Sequence, residues 1–197
     1  MVILAAGKST RFPGNKLLAK INDESMIEKV VKTSIKSKVD EIIVVTGHEA
    51  DKIEKILYGI RDDRIKLVYN SDYEKGQSSS VKKGLSEVID RVDAVIIHPA
   101  DVPLITPEDI DNLINVHEIT TASIIVASHK GRHGHPILFS SKLFNEIMNI
   151  TEEKKGLKEL TEKYKEEIIE VESSQYTVMD VDTVEDLEKL LKTMREP

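Results

Sequence analysis

The sequence predicts an α/β fold, a sheet of parallel strands with helices on both faces. Three observations predict it. Apolar, β-branched runs fall at 1–6, 42–46, 65–69, 93–97 and 122–127, each short enough for a buried strand. Between them, apolar residues recur at helical spacing. Helix-start signatures recur along the chain, with a hydroxyl residue followed three positions later by an acid. Such alternation is how a parallel sheet with crossover helices is written.

In chain order, Met1 to Ala6 is the first strand and runs into a loop. Ser25 with Glu28 forms a capping box, and Ile27, Val30, Val31 and Ile35 mark the apolar face of the helix it opens. The second strand, 42–46, leads to a helix carrying Ile53, Ile56, Leu57 and Ile60, and the third is 65–69. Gly76-Gln77-Ser78-Ser79-Ser80 precedes a helix marked by Val81, Gly84, Leu85 and Val88. After 93–97, Thr106-Pro107-Glu108-Asp109 caps another helix, followed by the strand at 122–127. Beyond residue 130 the pattern changes. Residues 130–136 read as a turn, followed by Ile137-Leu138-Phe139, a helix near 141–149 and a charged helix over 152–167. Strands are expected at 168–171 and 177–181, and Thr183-Val184-Glu185-Asp186 opens a last helix near 184–193. With no linker, repeat or low-complexity tract, residues 1–197 are expected to form one domain.

Composition excludes several classes of function. A chain of 197 residues, 40% apolar and 32% charged, has the balance of a globular domain. A net charge of −7 disfavours a nucleic-acid-binding face. No apolar run approaches the ~20 residues that span a bilayer. The first six residues are too short for a secretory core and have no basic segment before them, so a cytoplasmic location and no membrane partner are expected. The absence of cysteine excludes disulfides and thiolate chemistry.

The loop after the first strand, Leu4-Ala5-Ala6-Gly7-Lys8-Ser9-Thr10-Arg11-Phe12-Pro13-Gly14-Asn15-Lys16, contains the Gly-Lys-Ser that closes a P-loop. A P-loop needs glycine five residues before that ending, where this chain has Val2, and the dinucleotide-binding G-x-G-x-x-G fails at Ser9 and Phe12. What remains is a cationic loop with Lys8, Arg11 and Lys16 leaving a strand end. It suits a polyphosphate, and equally a solvated surface turn.

In open α/β sheets ligands sit beyond the carboxyl ends of the strands. Asp101 and Asp182 follow two such ends and could share a magnesium ion, a hard cation that takes oxygen ligands and keeps substrate phosphates. Turn chemistry before Pro103 accounts for Asp101 equally well, and electrostatics beside the capping Thr183 for Asp182. The hydroxyls of Ser78 to Ser80 could take sugar or phosphate groups at a helix start, or could simply cap it. His48 reads best as packing. His133 and His135 read as loop structure, with His135 a candidate acceptor contact.

Taken together, the loop Leu4 to Lys16, Gly76 to Leu85, Asp101-Val102-Pro103, Gly134-His135-Pro136 and Asp180 to Asp186 resemble the motifs of the MobA-like nucleotidyltransferases, in particular the molybdenum cofactor cytidylyltransferase branch. They keep the order of that family and cover nearly the whole chain. Pro13 stands where the family often has glycine, with Gly14 one place later, and Ala100 replaces the usual glycine before the aspartate.

The resemblance implies a Rossmann-like three-layer α/β/α architecture with a mixed, mostly parallel sheet. It implies transfer of CMP from CTP to the terminal phosphate of the molybdenum-loaded pterin with release of pyrophosphate, Mg²⁺ as cofactor, and the molybdoenzymes that receive the product as further partners. By motif position, Lys16, Arg11 and Asp101 are the catalytic candidates, and Asp101 and Asp182 the metal ligands, with Asp180 the substitute for Asp182. Leu4, Ala5, Ala6, Gly7, Lys8, Ser9, Arg11, Lys16, Ser79, Ser80 and Gly84 are the nucleotide-binding candidates, and His135 would touch the pterin. In-line attack by a phosphate oxygen that is already ionised needs charge neutralisation and alignment more than a strong base. The same machinery on a sugar or polyol phosphate, or an inactive nucleotide-binding module, are the alternatives to separate.

Overall fold

The computed structural model describes residues 1–195. Its centre is a seven-stranded sheet in the order β5-β4-β1-β6-β8-β7-β9. The strands are β1 (Val2–Ala5), β4 (Ile42–Thr46), β5 (Ile65–Tyr69), β6 (Ala94–Pro99), β7 (Ile124–His129), β8 (Arg132–Ser140) and β9 (Ile168–Glu172), while β2 (Lys20–Ile21) and β3 (Glu24–Ser25) form a small separate ribbon. Only β8 runs against its neighbours, so the sheet is mixed and mostly parallel. Each of the five apolar runs predicted from the sequence overlaps one of its strands, with ends that differ by up to two residues.

Alternation along the strands divides the core into two layers, because successive side chains point to opposite faces. Ile3, Ile42, Val44 and Leu138 face one side and pack with α1 (Met26–Ile35), α2 (Ala50–Leu57) and α4 (Pro107–Ile119). Val2, Leu4, Ile43, Val45 and Phe139 face the other and pack with α3 (Gln77–Ser86), α5 (Phe144–Ile147) and α6 (Leu157–Lys163). The result is the three-layer α/β/α arrangement. A smaller cluster of Ile21, Met26, Val181 and Leu190 anchors α7 (Val184–Thr193) beside the ribbon. The capping box read at Ser25/Glu28 is formed, and the threonine N-caps read at Thr106 and Thr183 close boxes of their own with Asp109 and Asp186.

The second half departs from expectation in three places. Residues 130–136 are not a long turn: Lys130 and Gly131, at φ +52° and +75°, make a two-residue hairpin, and β8 begins at Arg132. Two residues with positive φ match the twist of antiparallel strands. The stretch 152–167 is a broken helix, because Lys155 and Gly156 take φ of +65° and +56° and leave only α6 between two short 3-10 turns. The strand expected at 177–181 is absent, since Gln175–Val178 forms a 3-10 turn and Val181 is tied to the backbone of Asp101. Among the described residues, no helix is long and apolar enough to cross a membrane.

Candidate active site

The carboxyl ends of β1 and β6 lie side by side, with Leu4 opposite Pro99. The chain leaves both there, and the segment before α7 comes back to meet them through the Val181 N–H, which donates to the Asp101 carbonyl at 2.8 Å. A cleft of about 330 Å³ opens at this point.

The loop after β1 is held by its own backbone. The Phe12 N–H donates to the Ser9 carbonyl at 2.9 Å, and the Lys16 N–H donates to the Ser9 hydroxyl at 3.2 Å. Ser9 takes φ +54° and Gly14 φ +83°, so the shifted glycine supplies the second left-handed bend of the loop. Asn15 then caps the turn Lys16–Leu18, accepting from the Leu17 N–H at 3.1 Å. That cap fixes where the Lys16 side chain leaves the backbone.

From there the Lys16 ammonium donates to Asp101 Oδ2 at 2.6 Å and to Asp182 Oδ1 at 2.7 Å. Arg11 donates to the other oxygen of Asp182 at 2.7 Å. The Lys16 side chain is only 12% exposed and both carboxylates are about three-quarters covered, so water screens these pairs far less than it screens a surface ion pair. Burial works against the Lys16 charge, but the two carboxylates outweigh it and raise the ammonium above its ordinary range. Burial likewise works against the Asp182 charge, and Lys16 and Arg11 overcome it, holding the carboxyl below its usual range.

Among the described residues, no group of three or more His, Cys, Asp or Glu side chains is arranged to hold a metal. Asp101 and Asp182 nevertheless present one oxygen each to a common point, at present the Lys16 ammonium. That donor set fits a Mg²⁺ ion, which typically takes one or two protein carboxylates and completes its shell with phosphates and water. Asp180 lines the neighbouring cavity rather than this point, which favours Asp182 of the two.

The candidates from sequence divide by position. Leu4, Ala6, Gly7, Lys8, Ser9 and Arg11 line the cleft, together with Lys16, Ser80, Asp101 and Asp182. Lys8 pairs with the exposed Glu74 at 2.6 Å. Three candidates are placed elsewhere. Ala5 points into the core on the opposite face of β1 from Leu4, as strand alternation requires. Ser79 turns to a groove beside α3 and donates to the carbonyls of Asp72 and Gly76. Gly84 faces the sheet, where a Cβ would stand 2.3 Å from Val2 Cγ1; the glycine is there for helix–strand packing. His135 is half-buried and lines a second cavity of about 310 Å³ with Arg132, Thr177 and Asp180. Burial lowers its basicity, against the pull of Asp101 and Asp180.

Sequence reasoning missed Tyr73 and assigned no role to Gln77. Tyr73 lines the cleft because Gly47 lets it approach: a Cβ on Gly47 would stand 2.7 Å from Tyr73 Cβ and 2.8 Å from Ala6 Cβ. Gln77, Pro99 and Asp101 line both cavities and form the wall between them. Gln77 lay inside a quoted motif, whereas nothing local marked Tyr73.

Residues 1–168 match the family model of the MobA-like NTP transferase domain. Among curated proteins, the bifunctional protein GlmU of Staphylococcus carnosus is 32% identical over 134 residues, which cover 64% of this chain and 27% of that protein. A probable molybdenum cofactor guanylyltransferase of Thermococcus sibiricus is 40% identical over 68 residues, 34% of this chain and 35% of that one. This chain therefore spans about a third or less of the length of these curated relatives. Among solved structures, Rv0371c of Mycobacterium tuberculosis superposes with a TM-score of 0.84 at 24% identity, over 97% of this chain and 96% of that one. Rv0371c has also been solved in complex with manganese. A CMP:2-keto-3-deoxy-manno-octonic acid synthetase complexed with CTP superposes with a TM-score of 0.77 at 18% identity, over 98% of this chain and 96% of that one. At such identities these structures share the fold.

Proposed function

The chain belongs to the MobA-like NTP transferase domain family, and from that premise we propose that it transfers CMP from CTP to the terminal phosphate of a molybdenum-loaded pterin, releasing pyrophosphate. One observation carries the transferase reading. Two carboxylates, one just beyond β6 and one just before α7, share the ammonium of Lys16 beside the cationic loop. A cleft meant only for packing has no use for so many semi-buried charges, since each costs desolvation unless its partners compensate.

In the reaction, an oxygen of the acceptor phosphate attacks the α-phosphorus of CTP as the bond to the pyrophosphate oxygen breaks. Both partners are anions, so the contribution of the protein is neutralisation and alignment. Lys16 and Arg11 exchange their carboxylate partners for phosphate oxygens. Asp101 and Asp182, released from Lys16, would hold Mg²⁺, which supplies positive charge to the phosphates. The second cavity, with Arg132 and His135 and only the Gln77–Asp101 wall between it and the cleft, is the place for the acceptor.

Support for cytidine as the base is the Ala6 methyl group, which sits in the cleft against the backbone of Gly47. The test is pyrophosphate release from each of the four nucleoside triphosphates, with and without molybdenum-loaded pterin or simple sugar and polyol phosphates. CTP turnover that requires the pterin is expected. Turnover only with sugar or polyol phosphates moves the acceptor, and binding without turnover makes the chain a nucleotide-binding module.

A further inference from the structure

The first turn of α3 is clamped from outside by a segment far along the chain. Ser78 N–H donates to Glu152 Oε1 at 2.5 Å, and Lys82 Nζ donates to the Ile150 carbonyl at 3.1 Å. Gly76, at φ +99°, lies directly under the Glu152 side chain: a Cβ there would stand 2.3 Å from Glu152 Cγ. Gly156 also packs against this turn, its hypothetical Cβ falling 2.8 Å from Ser78 Oγ. Between Gly76 and Ser78 stands Gln77, whose other side is the wall shared by the two cavities.

On the nucleotidyl-transfer reading of this cleft, we infer that Glu152 is a positioning residue and a specificity determinant. It fixes the Gly76–Ser78 turn, so that Gln77 and Ser80 are presented to the nucleotide, and its charge occupies the positive end of α3. A helix start ordinarily attracts anions through its free N–H groups and dipole. Here one of those N–H groups is already bound to a carboxylate of the protein, and a ligand phosphate would meet like charge. The end of α3 is therefore closed to the triphosphate, which is left to the cationic loop across the cleft. What α3 presents through Gln77 and Ser80 is fit for neutral polar parts of the ligand, its base or ribose. Of the sugar, phosphate and simple capping roles that the sequence left open for this serine-rich helix start, the Glu152 contact disfavours phosphate.

Two variants separate geometry from charge. E152A removes both the acceptor and the charge, whereas E152Q keeps an acceptor oxygen and removes only the charge. The measurements are titration of wild type and variants with each nucleoside triphosphate in Mg²⁺, steady-state kcat and KM, and inhibition by inorganic phosphate. E152A is expected to raise the nucleotide KM and Kd roughly threefold to tenfold, with kcat within about twofold, as suits the loss of one partly exposed charge-assisted hydrogen bond. E152Q is expected to recover most of that loss, and both variants are expected to gain inhibition by inorganic phosphate. Unchanged nucleotide affinity in E152A, or a fall in kcat and melting temperature with KM unaltered, overturns positioning. No gain in phosphate inhibition in E152Q overturns the charge argument, and that arm stands even if E152A fails to fold. If the wild type binds no nucleotide, the reading of the cleft falls and this inference with it. A wild type that binds while both variants behave identically to it removes the role of Glu152 alone.

Discussion

The Lys16 ammonium donates to Asp101 Oδ2 at 2.6 Å, across a separation of 85 residues in the chain. With Asp182 on its other side at 2.7 Å, Lys16 stands where a cation bridging the two carboxylates would stand. On the proposed function, that ammonium has to move before a metal ion could bridge Asp101 and Asp182.

Lys16→Ala is expected to have opposite effects on turnover and on metal binding. Loss of a positioned electrostatic group typically costs about 3–4 kcal/mol of transition-state stabilisation, so kcat should fall roughly a hundredfold or more. Without nucleotide, the variant should bind Mn²⁺ more tightly than the wild type, because Asp101 and Asp182 lose the ammonium that competes for them. Steady-state kinetics and calorimetric titration with Mn²⁺ check the two halves. Turnover within a few-fold of wild type at saturating CTP would make Lys16 an ordinary structural cation.

Ala6→Gly tests the choice of base. One methyl group against a ligand is typically worth ~1–3 kcal/mol, or about 10–200-fold in discrimination. The wild type should therefore show kcat/KM for CTP well above that for GTP, and Ala6→Gly should narrow the gap without reversing it. Equal use of the two nucleotides by the wild type would remove cytidylyl transfer from consideration.

Gly84→Ala should act on stability and leave nucleotide affinity alone. The new methyl group would stand 2.3 Å from Val2 Cγ1 and 3.0 Å from Val45 Cγ2, so α3 has to shift off the sheet. Overpacking of this kind usually costs about 1–3 kcal/mol, and the better helix propensity of alanine returns up to ~1 kcal/mol of it. Denaturant unfolding measures the net loss. A variant of normal stability that no longer binds nucleotide would put Gly84 back at the ligand.

His98 should make the fold sensitive to acid. The ring is fully buried, its Nε2 lies 3.0 Å from the Val102 carbonyl, and burial, then His135, push its pKa down to about 3. The unfolded chain takes up a proton as pH falls below ~6.5, whereas the folded protein resists until about pH 3. Stability is therefore full above ~6.5 and lost as pH falls through that window, by up to ~1.4 kcal/mol per pH unit. Comparing denaturant unfolding at pH 7.5 and 5, the wild type should lose about 1–2 kcal/mol more than His98→Gln. Equal losses would show that His98 is not the titrating group.

The sequence by itself determined what depends on near neighbours. Strand and helix alternation in the first half is written in apolar periodicity. The capping boxes at Ser25, Thr106 and Thr183 are written in pairs three residues apart, because a helix start is satisfied within its own first turn. The cations of the Leu4–Lys16 loop and Asp101 were also legible, as charged residues beyond strand ends, whereas Asp182 was singled out through a strand at 177–181 that does not form. Tertiary structure alone decided which of these meet. Asp182 lies 166 residues from Lys16, and only the return of the chain beside β6 brings them within 2.7 Å. It also decided which way α3 faces: of Ser79, Ser80 and Gly84, which the family resemblance implied as nucleotide-binding, the fold turns Ser80 to the cleft, Ser79 to a groove beside it and Gly84 to the sheet. The missing strand at 177–181 and the hold of Glu152 on Ser78 belong to the same class, since each is settled by a partner distant in sequence, and residue periodicity carries no information about which partner the folded chain will provide.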